Sequence, residues 1–165
     1  MHKFGNKTTL FITLFLFWVL INGSLSLGTL LVGVVVSLAI ATMVPDGWDP
    51  LREFHATPAG FSAAYHFLIY FIKELIRSNI RMAGIVLSPK LPIDPGIVKV
   101  HTKLKSKMGR LLLANSITLT PGTLTVMLEG EWLYVHWVTV ESTDIEAATA
   151  HIVAGFEKYL EVMYG

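Results

Sequence analysis

No charged residue interrupts the 38 positions between Lys7 and Asp46. One membrane-spanning helix needs about 20 apolar residues. The stretch therefore suits two short spans joined by a tight turn. Asn22-Gly23-Ser24 is the turn cluster inside it, and Asn and Gly tolerate left-handed backbone. The pattern predicts a transmembrane hairpin over residues 1–45, with helices at about 8–21 and 25–44. Pro45-Asp46-Gly47 supplies a helix stop. The rival reading is a cleaved signal peptide, with Lys3 and Lys7, an apolar stretch and small residues near Ser24-Leu25-Ser26. A second apolar run follows directly, so cleavage still leaves a membrane helix.

Residues 46–60 read as a Pro- and Gly-containing loop, with Trp48 and Phe54 placed to sit at lipid headgroups. Residues 61–87 form a third apolar stretch of different character. Lys73, Arg77 and Arg81 recur every four residues, which puts charge on one helical face. Phe67, Leu68, Phe71, Ile72, Leu75 and Ile80 are assigned to the other. The uncharged part, 61–72, is too short to cross about 30 Å. A helix lying in the cytoplasmic interface is the expectation. The alternatives are an amphipathic helix packed on its own domain and a third span. The prolines of 88–96 mark a linker.

After the linker the period changes. Residues 97–104 partly alternate and read as a strand, and 105–116 as a helix. Residues 123–129 and 131–140 alternate on either side of Gly130 and read as a hairpin. Asp144 suits a helix start, with a closing helix over 145–159. The expected fold class is therefore a membrane protein of α+β type. It combines the N-terminal hairpin (1–45), a loop, interfacial amphipathic helix and linker (46–96), and a small C-terminal β-α-β-β-α domain (97–165). The predicted domain is one sheet covered by two helices on one face.

Composition sharpens this. Hydrophobic residues make up 53% of the 165 and charged residues only 15%, against about 25% in soluble domains. The mean hydropathy is +0.58. There is no cysteine, so thiolate chemistry and disulfides are excluded. A net charge of +1 names no nucleic-acid partner. Residues 1–110 carry 12 Lys and Arg against 5 Asp and Glu, and residues 111–165 carry 1 against 7. Cations flank the apolar hairpin on both sides, so the positive-inside rule puts both ends and the C-terminal domain in the cytoplasm, with the Asn22 turn outside.

Candidate chemistry is sparse. Ion-carrying membrane helices usually hold ionisable side chains, and the hairpin has none. The six histidines offer no zinc-binding i, i+4 pair on a helix, and His136 reads as a structural strand histidine. No phosphate loop and no nucleophile elbow is present. The expectation is no catalytic residue, no cofactor, no metal and no enzyme. Thr29, Gly33, Ser37 and Ala41 form a small-residue stripe of the kind that lets membrane helices approach. One reading packs the stripe on helix 1 of the same chain; helix 1 offers bulky Phe11, Phe15, Phe17 and Trp18, a poor surface for close approach, so docking of a partner subunit is the favoured assignment. Residues 114–126 are the most unusual stretch. Asn115, Ser116, Thr118, Thr120 and Thr123 can close a helix end, and Pro121-Gly122 suits the centre of a type II turn. A plain helix-to-strand junction and a partner-docking loop both remain open.

Ala-Asn-Ser-Ile-Thr-Leu-Thr-Pro-Gly-Thr at 114–123 closely resembles the signature of the E subunits of the multisubunit Na⁺/H⁺ antiporters of the Mrp or Mnh type. The resemblance extends to Val86-Leu87-Ser88-Pro89 and to Glu131-Trp132-Leu133-Tyr134-Val135-His136-Trp137. It implies an accessory, non-catalytic, multi-pass subunit of a hetero-oligomeric complex in the bacterial plasma (inner) membrane. That complex exchanges Na⁺ for protons and serves pH and Na⁺ homeostasis. The ion paths of such complexes belong to larger subunits, and no catalytic residue carries over. The lipid bilayer and the other subunits are the implied partners. The alternative function is an independent membrane-tethered binding or sensing module.

Overall fold

A computed structural model describes residues 3–44 and 53–165. The chain divides into two compact units, residues 1–52 and 53–165. Trp48, Arg52 and the Pro45-Asp46-Gly47 stop lie outside the described residues.

The first unit is a helical hairpin of α1 (Lys3–Asn22) and α2 (Leu27–Met43). Gly23 turns the chain at φ +58°, and its N–H bonds Val19 O at 3.0 Å. Ser26 caps α2 by accepting from Thr29 N. Trp18 Nε1 donates to Thr29 O at 3.0 Å. Gly33, Ser37 and Ala41 are buried, and a Cβ on Gly33 would stand 2.5 Å from Trp18 Cδ1. The stripe therefore packs on α1 of the same chain. For Thr29, Gly33, Ser37 and Ala41 this is the same-chain alternative to docking on a partner subunit. The bulk of Trp18 does not prevent close approach, because the indole lies in the notch that Gly33 leaves. Leu16, Leu20, Leu31, Val35 and Leu38 face outward. Among the described residues no helix is long and apolar enough to cross a membrane. The 17 residues of α2 measure about 25 Å, against about 30 Å of hydrocarbon.

The second unit starts with α3 (Pro58–Leu87), capped by Thr57 with Pro58 in the first turn. Then follow β1 (Gly96–His101), α4 (Lys107–Leu119), β2 (Thr123–Glu129), β3 (Trp132–Trp137), α5 (Ile145–Ile152) and α6 (Ala154–Tyr164). The sheet is antiparallel in the order β1-β3-β2. Val98, Val100, Leu133, Val135 and Trp137 point to one side. They bury against Leu104, Leu113, Ile117, Ala148, Ile152, Phe156 and Leu160. The opposite face, with Ile97, Leu124 and Met127, is exposed.

Two boundaries and the packing around α3 differ from expectation. The C-terminal unit begins at Glu53 rather than at 97, because α3 is part of its core. Ala63, Phe67, Tyr70 and Phe71 pack into that core, and the last three meet Phe156 at ring distances of 6.3, 5.1 and 6.5 Å. Phe54 joins them, edge-on to Phe61 and Tyr164, rather than standing at headgroups. The apolar face assigned to α3 thereby divides, with Phe67 and Phe71 turned to the core and Leu68, Ile72 and Ile80 exposed. Finally, the closing helix breaks at Val153. Gly155 follows, and the Tyr70 ring sits where a Cβ on that glycine would be.

Candidate functional site

The signature stretch is built around the end of α4. That helix runs on to Leu119, so Asn115, Ser116 and Thr118 are helical and the turn proper is 120–123. Thr123 N bonds Thr120 O at 3.2 Å, and Gly122 adopts φ +98°. This is the positive φ that position i+2 of a type II turn requires. The hydroxyls turn inward on the backbone. Ser116 Oγ donates to Leu112 O (2.7 Å), Thr120 Oγ1 to Ser116 O (2.8 Å) and Thr123 Oγ1 to Ile117 O (2.7 Å). Thr120 and Thr123 engage carbonyls of the last turn of α4, which the end of a helix leaves without intrahelical partners, while Ser116 bonds back to a carbonyl one turn earlier. Thr118 Oγ1 accepts from Thr125 N at 3.1 Å, and Thr125 Oγ1 donates to Ala114 O at 3.1 Å. These bonds tie strand β2, at the sheet edge, to the helix before it. Asn115 is exposed.

The turn forms one wall of a cleft of about 370 Å³. Arg77, Ser78, Arg81 and Met82 of α3 form another. His151 and Ile152 of α5 and Phe156 of α6 close it, with Ile117 and Trp137 among its apolar lining. The charged groups are loosely paired. Arg77 lies 3.8 Å from Glu74, Arg81 3.7 Å from Glu141, and His151 Nδ1 3.5 Å from Glu141. These separations exceed hydrogen-bond length, and exposed pairs of this kind contribute little stability. Burial pushes the Tyr70 phenol above its ordinary pKa, and Glu74 adds to the effect. Among the described residues no group of three side chains could hold a metal ion. The arrangement is a recess with the guanidinium groups of Arg77 and Arg81 at its wall.

Two buried or capping carboxylates had no clear signal in the sequence. Glu157 is buried, accepts from the Thr102 hydroxyl and from Lys103 N at 2.8 Å, and so ties the end of β1 to α6. Glu53 accepts from the Ser106 hydroxyl and from Met108 N at 3.1 Å, which helps cap α4. The Ser106 bond, with the Met108 N–H, holds the Glu53 carboxyl below its ordinary pKa.

The family model described as a Na⁺/H⁺ ion antiporter subunit, MNHE, matches residues 11–163. The chain belongs to that family. The E1 subunit of the Na⁺/H⁺ antiporter of Staphylococcus haemolyticus is 32% identical over 78% of this chain and 80% of its own length. The E subunit of the Alkalihalophilus pseudofirmus antiporter is 47% identical over 45% of this chain, and the chain spans about half (48%) of that relative. A solved chain of the membrane-bound sulfane sulfur reductase, an archaeal respiratory membrane complex, superposes with a TM-score of 0.82. It is 36% identical, and the match covers 95% of this chain and 98% of that one.

Proposed function

We propose that this chain is an accessory, non-catalytic subunit of a multisubunit Na⁺/H⁺ antiporter in the bacterial plasma membrane. In this role the hairpin anchors it and the unit from Glu53 onward stands in the cytoplasm. The observation that carries the accessory role is the likeness to a chain of a sulfane sulfur reductase complex at a TM-score of 0.82. A fold used in both a reductase and an antiporter complex suits assembly better than the ion chemistry of either one. The hairpin supports the same reading, since residues 8–44 hold no ionisable side chain to pass a proton. The outward leucines and valines of α1 and α2 suit lipid. A helix shorter than the hydrocarbon thickness is accommodated by local thinning of the bilayer. The signature turn presents a rigid shape to a neighbouring subunit rather than a reactive group.

The test is Na⁺-dependent proton flux in proteoliposomes. The purified chain alone is expected to give none, and the intact complex to give it. Antiport by the single chain refutes the accessory role.

A further inference from the structure

The face of α3 opposite the core carries Phe61, Tyr65, Leu68, Ile72, Ile76 and Ile80, at spacings i, i+4, i+7, i+11, i+15 and i+19. Each is between 45% and 69% exposed. The stripe runs for about 29 Å along the helix. We propose that α3 lies along the surface of an anionic lipid leaflet, with this stripe among the acyl chains and Lys73 and Arg77 on headgroup phosphates.

Four observations fix the occupant. Apart from Phe61, which meets Phe54 at its N-terminal end, the stripe stands outside the core, which Ala63, Phe67, Tyr70 and Phe71 on the other side already join. It is bulky throughout, whereas helix-on-helix docking in membranes favours small residues. Charge beside it is of one accessible sign. Lys73 is exposed and the Arg77 side chain is 65% exposed, while that of Glu74, at 22%, is turned toward the core side. Long cationic side chains can reach phosphates while their stems cover apolar surface. Lastly, only 14 residues separate the end of α2 from Pro58, a span of at most about 50 Å. A third span is opposed by the packing of α3 against α6, which would drag Glu157 and Lys158 into hydrocarbon.

The inference rests on the membrane anchorage of the hairpin, so the experiment reads both. The chain has no cysteine, and single spin labels can be placed at Ile76→Cys, at Leu16→Cys in α1 and at exposed Thr143→Cys. The full chain is reconstituted, alone and within its complex, in phosphatidylcholine vesicles with and without phosphatidylglycerol at ~1:2 anionic to neutral lipid. Collision rates with oxygen and with a water-soluble nickel chelate are compared. With anionic lipid, the label at 76 is expected to favour oxygen at least about threefold over the label at 143. Lys73→Gln with Arg77→Gln should weaken docking roughly 25-fold, about fivefold per cation, and only where anionic lipid is present.

Nickel access at 76 with protection at 16 overturns the proposal alone, and access at both overturns the anchorage as well. Shielding from both reagents inside the complex means that a protein helix covers the stripe, which also overturns it. So does protection that ignores lipid charge, or a label at Lys73→Cys buried as deeply as the one at 76.

Discussion

Replacing Gly122 with alanine tests whether the signature stretch works through backbone shape. The glycine sits at φ +98°, beyond the left-handed region that Asn and Asp tolerate. Holding a side-chain-bearing residue there costs about 1–3 kcal/mol. The added Cβ meets only the end of Met82, 3.1 Å away, and that flexible methyl can move aside. Nearly all the effect is thus torsional. For a unit of this size the strain lowers Tm by roughly 4–12 °C, read as thermal unfolding of the detergent-solubilised chain by circular dichroism. Gly130 is the control. It turns the β2–β3 hairpin at φ +61°, and a Cβ there meets nothing within 4 Å, so Gly130→Asn should stay close to wild type. Equal melting of Gly122→Ala and wild type would refute the turn assignment.

Three further outcomes follow from the packing. Gly33→Leu should open the α1–α2 hairpin, because even a Cβ would stand 2.5 Å from Trp18 Cδ1. With one cysteine introduced on each of α1 and α2, disulfide crosslinking reads the hairpin; it should fall in Gly33→Leu and return when Trp18→Ala is added, and no rescue would mean that the indole is not the obstacle. Thr102→Val leaves the buried Glu157 without its hydroxyl donor, which should cost about 1–3 kcal/mol in urea unfolding; an unchanged midpoint would contradict that role. The Glu53 carboxyl has a lowered folded-state pKa, so its contribution is present above its ordinary value near 4.5 and is lost as pH falls through the folded value. Glu53→Gln should flatten the acid-side loss of stability below pH ~4.5, and an identical acid profile would exclude that carboxylate.

Much of the architecture was legible because it rests on local signals. The uncharged run with one Asn-Gly-Ser turn marked the hairpin, alternation marked β2 and β3, and Asp144 caps α5 through Ala147 N at 2.9 Å. Pro121-Gly122 announced the turn for the same reason. Tertiary packing was not legible. The two apolar faces of α3 look alike in sequence, and only the presence of Phe156 tells which is core. The small-residue stripe signalled close approach but not the approaching helix, which Trp18 identifies. The break at Val153 has no strong breaker, and Gly155 acquires its meaning from Tyr70, far away in the chain. The cleft was invisible for a similar reason, since Arg77, Thr120 and His151 converge only through the fold.

The most direct measurement of the central claim is the size and composition of what the chain travels with. A tagged copy expressed in its own host is solubilised in mild detergent, purified, and resolved by native electrophoresis and mass spectrometry. An accessory antiporter subunit migrates in a large assembly with the other subunits, and Gly122→Ala lowers its yield. An independent tethered module migrates as an 18.3 kDa chain in its detergent micelle under every gentle condition, and that result would contradict the account.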